Sequence, residues 1–145
     1  LAIIQYIFLV LSRKNVDSEK IKEEFDNYFY GKTFSSISDN NEFEISYNKI
    51  FFSKLSDNFI KFYKTEDISK NLNNYIDFDR EFEKWDLINQ AIIISILSEL
   101  SFTVKDKIKI VLNDYLNVAK NFVPINEVKM INAVVDKYLN DKQIL

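Results

Sequence analysis

The last third of the chain decides the fold, because two segments with helical periodicity lie there on either side of a single proline. The first segment reads IVLNDYLNVAKNF (residues 110–122), and the second reads MINAVVDK (residues 130–137). Apolar residues recur every three or four positions in both, which predicts two amphipathic helices. Their apolar stripes are Ile108, Val111, Leu112, Tyr115, Ala119 and Phe122 in the first, and Ile131, Val134, Val135 and Tyr138 in the second. Pro124 lies between the segments, and we expect it to end one helix and Asn126 to cap the next.

The segment before these two reads AIIISILSEL (residues 91–100). From Trp85 to Leu100 the apolar residues almost encircle a helix, which is typical of a helix that other helices surround. The sequence therefore predicts a central helix at the axis of the core, and we expect it to begin at Asp77 or Asp79.

The first half of the chain contains four further segments with helical character. An apolar run covers residues 1–11, and a second helix begins at Asp17 or Ser18 and ends near Gly31. Its stripe is Ile21, Phe25, Tyr28 and Phe29. A long helix from about Glu44 to Tyr63 is expected to bury Phe51, Leu55, Phe59 and Phe62, and a shorter one covers Ile68 to Tyr75. The polar tract from Thr33 to Asn41 is predicted to be a surface loop and is the best candidate for disorder.

Composition agrees with a single helical domain. The chain has 145 residues, which fits one compact domain over residues 1–145. It contains one glycine and one proline, whereas tight hairpin turns and sheet architectures draw heavily on both residue types. The sequence therefore predicts an all-α bundle of six to seven helices.

Most enzyme classes are excluded by what the chain lacks. Neither cysteine nor histidine occurs in it, which excludes thiolate and imidazole zinc sites, disulfides and nucleophiles that a histidine activates. With one glycine, no glycine-rich loop can bring backbone amides against a phosphate. A catalyst built from carboxylates alone is the one enzyme class that this composition leaves open. We expect no catalytic residue, metal ligand, cofactor or small-molecule substrate.

The apolar start of the chain is not a membrane span. Residues 1–11 fall short of the roughly 20 apolar residues that cross a bilayer. The basic residues Arg13 and Lys14 follow the run, whereas a signal peptide has its basic residues in front. We expect a buried first helix, no contact with a membrane and a cytoplasmic location.

Charge is distributed unevenly along the chain. From Ser101 to the end there are seven lysines and five acidic residues, a balance of +2, whereas the whole chain carries −3. Proteins that bind nucleic acids concentrate lysine and arginine on one surface, because phosphate neutralisation supplies most of their affinity. An ordinary solvated surface rich in lysine would give the same weak bias.

The turn between the last two helices is a stronger candidate for RNA binding. Lys120, Asn126 and Lys129 lie around Phe122 and Met130, so polar groups for phosphates and base edges stand next to apolar groups on which an unstacked base could lie. Single-stranded RNA needs both kinds of group. The other interpretation is that Phe122, the last residue of a buried stripe, belongs to the core.

The same segments resemble the NusB family of bacterial transcription antitermination factors. Its C-terminal pattern runs roughly I-N-E-A-V-x-L-A-K-x-F-G, a short turn, then F-V-N-G-V-L-D-K. The matching positions are Leu112-Asn113-Asp114, Ala119-Lys120, Phe122 and residues 132–137, with Glu99-Leu100 at the E-L of the central helix and Gln5-Tyr6-Ile7-Phe8 at the Q-x-L-[FY] of the first. Val123 replaces the glycine, Met130 a phenylalanine and Asp114 the glutamate.

The resemblance implies both a fold and a function. The implied fold has two small three-helix bundles packed together around the central helix. The implied function is binding of the single-stranded boxA element of nascent rRNA transcripts together with the ribosomal protein NusE, followed by entry into the RNA polymerase elongation complex. RNA contact would fall to Lys120, Phe122, Asn126, Lys129 and Met130, and NusE would dock on the exposed side of the central helix around Asn89 and Ile92. The resemblance also implies an arginine-rich segment ahead of the first helix, whereas the sequence opens on Leu1-Ala2-Ile3-Ile4.

Two other functions fit the same residues. One is a NusB-like RNA-binding domain of an rRNA cytosine methyltransferase, for which sequence beyond Leu145 would have to supply the catalytic part. The other is a helical protein-interaction module that does not bind RNA, which the acidic pI near 5.1 favours.

Overall fold

The computed structural model describes residues 1–13, 17–29, 31–38, 41–76 and 81–142. Within these ranges the chain forms seven α-helices and one two-stranded sheet, and the prediction of a helical bundle is confirmed. The elements are α1 (Ala2–Ser12), α2 (Ser18–Phe29), β1 (Lys32–Ser38), β2 (Asn41–Ser46), α3 (Lys49–Thr65), α4 (Ile68–Asn73), α5 (Leu87–Leu100), α6 (Ile108–Ala119) and α7 (Ile125–Asp141). Short 3-10 turns at Phe82–Lys84 and Lys105–Lys107 precede α5 and α6.

The long helices pack as two groups of three. α1, α2 and α3 contact one another, and α5, α6 and α7 contact one another. Because α5 also contacts α1 and α3, it lies between the two groups. The buried apolar side chains of both groups form one continuous cluster.

α5 is the centre of that cluster, as its sequence predicted. Every side chain from Ala91 to Ser98 is buried, and the exposed fraction of Ile93 and Ile96 is 0%. The two buried serines satisfy their hydroxyls within the helix, since Ser95 donates to the Ala91 carbonyl (2.6 Å) and Ser98 to that of Ser95 (3.1 Å). Each fully buried isoleucine contributes about 1.5–3 kcal/mol relative to an exposed one.

Tyr6 joins the three helices of the first group. Its ring meets Phe25 of α2 and both Phe52 and Phe59 of α3 edge to face, with centroids 6.2, 5.8 and 5.7 Å away. Its hydroxyl donates to the Ser18 carbonyl at 2.6 Å, so the polar end of this buried ring has a partner at the start of α2.

The prediction of a loop from Thr33 to Asn41 is wrong over the described residues 33–38 and 41, because β1 and β2 form an antiparallel hairpin there. Thr33 pairs with Ile45 and Ser35 with Phe43, and the register shifts between Ser36 and Ser38. The reason is visible in EFEIS (residues 42–46), where apolar residues alternate with polar ones at the period of a strand. The density of serine, aspartate and asparagine concealed that alternation.

Two helix starts also differ from expectation. α3 begins at Lys49 and not near Glu44, because Asn48 caps it by accepting a hydrogen bond from the Phe51 amide (3.0 Å). With that start Phe52 points into the core and Phe51 is 52% exposed, although Phe51 was expected to be buried.

α5 begins at Leu87, after an extended residue at Trp85, and not at the expected Asp77 or Asp79, which lie outside the described residues.

The prediction that Asn126 caps the last helix is wrong. α7 begins at Ile125 with the Pro124 carbonyl accepting the first backbone bonds, so Asn126 lies inside the first turn. The expected end of α2 is confirmed, since Gly31 follows it with φ +83°.

Candidate nucleic-acid interface

The turn between α6 and α7 is tight and held by its own backbone. The amides of Phe122 and Val123 both donate to the Ala119 carbonyl, at 2.9 and 3.1 Å. Val123 is buried, with 7% of its surface exposed, so it anchors the turn to the core. The residues around it are thereby fixed relative to both helices.

The three polar residues predicted to contact RNA all reach solvent. Lys120 lies at the end of α6, while Asn126 and Lys129 lie in the first two turns of α7, and all three are exposed. The Lys120 ammonium donates to the Asn117 side-chain oxygen at 3.4 Å. These residues surround the turn with two cations and one amide, the groups that bind phosphates and base edges.

The two apolar residues of the predicted site are half-buried. Phe122 and Met130 both pack against the core cluster, yet each keeps part of its surface in solvent. They therefore combine the two interpretations that the sequence left open, because one side of each residue supports the fold and the other remains accessible. The turn brings together exposed cations, an exposed amide and accessible apolar surface.

The central helix is not exposed at the position where docking of a partner was predicted. Asn89 is 4% exposed and Ile92 is 0% exposed, so the expectation of an exposed side of α5 at these two residues is wrong. The physical reason is that α1, α3, α6 and α7 all pack on α5. The side-chain oxygen of Asn89 has no hydrogen-bond partner within the described chain.

An apolar groove beside Asn89 and Ile92 was not predicted from the sequence. It has a volume of about 280 Å³ and lies where α1, α2 and the first turn of α5 meet. Five of its six lining residues are apolar: it is lined by Gln5, Phe8, Leu9, Phe25, Phe29 and Ile88. A second depression of about 310 Å³ shares three of these residues and continues past Arg13, Glu24 and Tyr28.

The signal for the groove was an excess of apolar residues on α1. A surface helix buries one stripe, whereas nearly every residue of α1 is apolar. Phe8 is consequently 36% exposed on α1, and Tyr28 is 82% exposed on α2. Such clustered exposed apolar surface marks interaction sites in proteins.

Glu99 and Tyr115 form a polar pair inside the second helix group. Burial raises the pKa of Glu99, a hydrogen bond from Tyr115 lowers it, and nearby Asp114 raises it further. Burial also raises the pKa of Tyr115, so this phenol stays protonated. Glu99, Asp114 and Tyr115 line a cleft of about 190 Å³.

Among the described residues no three acidic side chains converge to hold a metal ion.

Comparison with protein-family models, with curated proteins and with solved structures finds no match to this chain. No helix in the described ranges combines the length and the apolar character that crossing a bilayer requires.

Proposed function

We propose that this chain is a non-enzymatic RNA-binding factor of the kind that its resemblance to NusB implies. In the full form of the proposal it binds boxA-like single-stranded RNA together with NusE and joins an RNA polymerase elongation complex. The observation that carries the proposal is the α6–α7 turn, where exposed Lys120, Asn126 and Lys129 lie next to half-buried Phe122 and Met130.

This combination suits a single strand better than a duplex. A single strand offers both phosphates and unstacked bases, which lie on apolar or aromatic surfaces while cations neutralise the backbone. Lys120 and Lys129 supply the charge, and Phe122 and Met130 supply the surface. The net charge of −3 means that the affinity must come from this local site and not from the overall field of the protein.

The partner site in this proposal is the apolar groove between α1, α2 and α5, in place of Asn89 and Ile92. Gln5 and Phe8, two residues of the first-helix resemblance, line the groove. A protein-interaction module without RNA binding is the second candidate, and the same groove favours it. Binding of RNA by the chain would favour the first function, and its absence would favour the second.

The test is fluorescence anisotropy of a labelled boxA-like RNA titrated with wild type, Lys120→Ala and Lys129→Ala. Each variant is expected to bind more weakly and to reduce the slope of log affinity against log salt by about 0.7, since one phosphate contact on a single strand is lost. Lys20→Ala, an exposed lysine of α2, is the matched control and should bind as wild type. Equal binding by all four proteins contradicts the proposed site.

A further inference from the structure

We propose that the outward face of α6 reads adenine bases of single-stranded RNA through the side-chain amides of Asn113 and Asn117. The inference rests on the proposed function and extends the RNA site from the turn along the preceding helix. It assigns specificity to residues that the resemblance and the turn leave without a role.

The two amides form a row on the exposed side of α6. Asn113 and Asn117 are both exposed, and they lie one helical turn apart, about 6 Å along the axis. The buried residues of α6, Ile108, Leu112, Tyr115 and Ala119, lie on the opposite side of the helix. The row therefore faces solvent along most of the helix and ends at the α6–α7 turn.

One border of the row is basic. Lys109 and Lys120 are eleven residues apart, which puts them within about 20° of each other around the helix axis. Both are exposed, and both lie on the Asn113 side of the row. Asp114 lies on the other border. A phosphate backbone is thus favoured along one border and repelled from the other, which fixes where a bound strand runs.

The amides match the chemistry of an adenine edge. The amide of asparagine accepts a hydrogen bond at its oxygen and donates from its nitrogen, and adenine offers the N6 donor and the N7 acceptor at the matching spacing. Asparagine is uncharged, so it contributes little to phosphate attraction and can contribute to discrimination between bases. Among the described hydrogen bonds, one joins these two asparagines to a charged group. In it the Lys120 ammonium donates to the Asn117 side-chain oxygen at 3.4 Å.

The substitution that tests this role should not damage the fold. Asparagine is a poorer helix former than alanine, so replacing both residues by alanine favours α6. If the two asparagines have only a structural role, the double alanine variant should keep the preference for adenine, and its melting temperature should stay level or rise. If they contact adenine, the variant should lose that preference while its melting temperature again stays level or rises.

The experiment compares wild type with the double variant Asn113→Ala/Asn117→Ala by fluorescence anisotropy. The probes are single-stranded oligo(U) of fixed length, the same oligomer with adenines replacing some uridines, and that oligomer with 7-deazaadenine, which lacks the N7 acceptor. Wild type should prefer the adenine probe over both others, by about five-fold or more for each amide that pairs with a base. The variant should bind all three alike, with an unchanged salt slope. Asn27→Ala, at an exposed position of α2, is the control and should keep the wild-type preference.

Three results would overturn the inference. Wild type could bind RNA without preferring adenine over uracil or over 7-deazaadenine. The double variant could keep the full preference, or it could lose affinity for all probes equally. In these cases the RNA-binding function stands, because wild type still binds. Absence of RNA binding by wild type, in contrast, refutes the proposed function and the inference together.

Discussion

In the proposed function Met130 contributes both to the fold and to the RNA site. It packs against the core cluster but keeps part of its surface in solvent beside Lys129. Unbranched and flexible, methionine fills irregular gaps and offers a soft, polarisable surface. A substitution of Met130 is therefore expected to affect both the stability of the protein and its affinity for RNA.

We predict that Met130→Ala weakens RNA binding with little change in the salt slope if one base lies on this side chain, and by less than the roughly 1–3 kcal/mol that an aromatic stacking partner contributes. Because Met130 is only half-buried, its loss should destabilise the protein by less than the roughly 2–5 kcal/mol of a fully buried site. Met130→Leu, which conserves volume, should keep both properties. Anisotropy and urea denaturation measure the two effects, and a destabilised variant with wild-type RNA affinity would assign Met130 to the core alone.

Glu99 is predicted to make stability fall as pH rises above the acidic range. Burial raises the pKa of Glu99 in the folded protein above its value in the unfolded chain, so the folded state holds the proton more tightly. Between those two pKa values the unfolding free energy decreases with rising pH, and above them the ionised carboxylate costs stability. Asp114 adds to the raised pKa, while Tyr115 and Lys54 oppose it.

Glu99→Gln removes this titration while keeping an acceptor for Tyr115. The variant should melt at a higher temperature than wild type at about pH 7 and at the same temperature at about pH 3, well below the ordinary pKa of glutamate, where Glu99 is protonated in both the folded and the unfolded state. Glu23→Gln, an exposed position on α2, is the control for the loss of one negative charge. Equal melting temperatures of wild type and Glu99→Gln at neutral pH would show that the carboxylate is fully solvated.

At the scale of elements, the sequence predicted each helix whose apolar residues follow one unbroken period. α6 and α7 were predicted from that pattern, and four residues of the α6 stripe are buried (Ile108, Leu112, Tyr115 and Ala119), while Val111 is half-buried. α5 was predicted instead from apolar residues that almost encircle the helix. Boundaries were harder to predict, because a cap depends on one local hydrogen bond. The hydrogen bond from the Phe51 amide to Asn48 starts α3, and a cap of this kind leaves no periodic pattern in the sequence.

The candidate site was also predictable only in part. Exposure of Asn126 and Lys129 follows from their positions opposite the apolar stripe of α7, and exposure of Lys120 follows from its position outside the apolar stripe of α6. The burial of Asn89 and Ile92 does not follow from α5 alone, since it depends on how many helices pack around α5. The groove at Phe8 likewise arises from three elements that are distant in sequence.

We predict that α5 dominates the stability of the bundle. Ile93 has no exposed surface, so Ile93→Ala should destabilise the protein by about 2–5 kcal/mol through lost burial and the cavity left behind. Ile110→Ala on α6 is the matched control, because Ile110 is 56% exposed and a surface change usually shifts stability by less than about 0.5 kcal/mol. Urea denaturation of the two variants checks the ranking. Similar losses for both would mean that α5 is not at the centre of the core.

At the scale of the whole molecule, two candidate surfaces lie on different helix groups. The apolar groove belongs to α1 and α2 together with the first turn of α5, whereas the proposed RNA site belongs to α6 and α7. In the proposed function one surface holds NusE and the other holds RNA, and the pair of proteins offers the RNA a larger combined site. Linked surfaces of this kind raise the apparent affinity without any new contact at either one.

Because the two surfaces are separate, NusE and RNA should be able to bind the chain at the same time. Wild type alone should bind boxA-like RNA weakly, and added NusE should strengthen binding, because the combined surface adds contacts that a chain of net charge −3 lacks. Phe8→Ala in the groove should abolish most of the enhancement and leave the affinity of the chain alone unchanged. Lys120→Ala should lower the affinity both with and without NusE. Anisotropy titrations of the three proteins, each with and without NusE, measure these differences, and melting curves confirm that Phe8→Ala is folded. RNA affinity that does not respond to NusE would refute the pairing, whereas an enhancement that survives Phe8→Ala would place the partner on another surface.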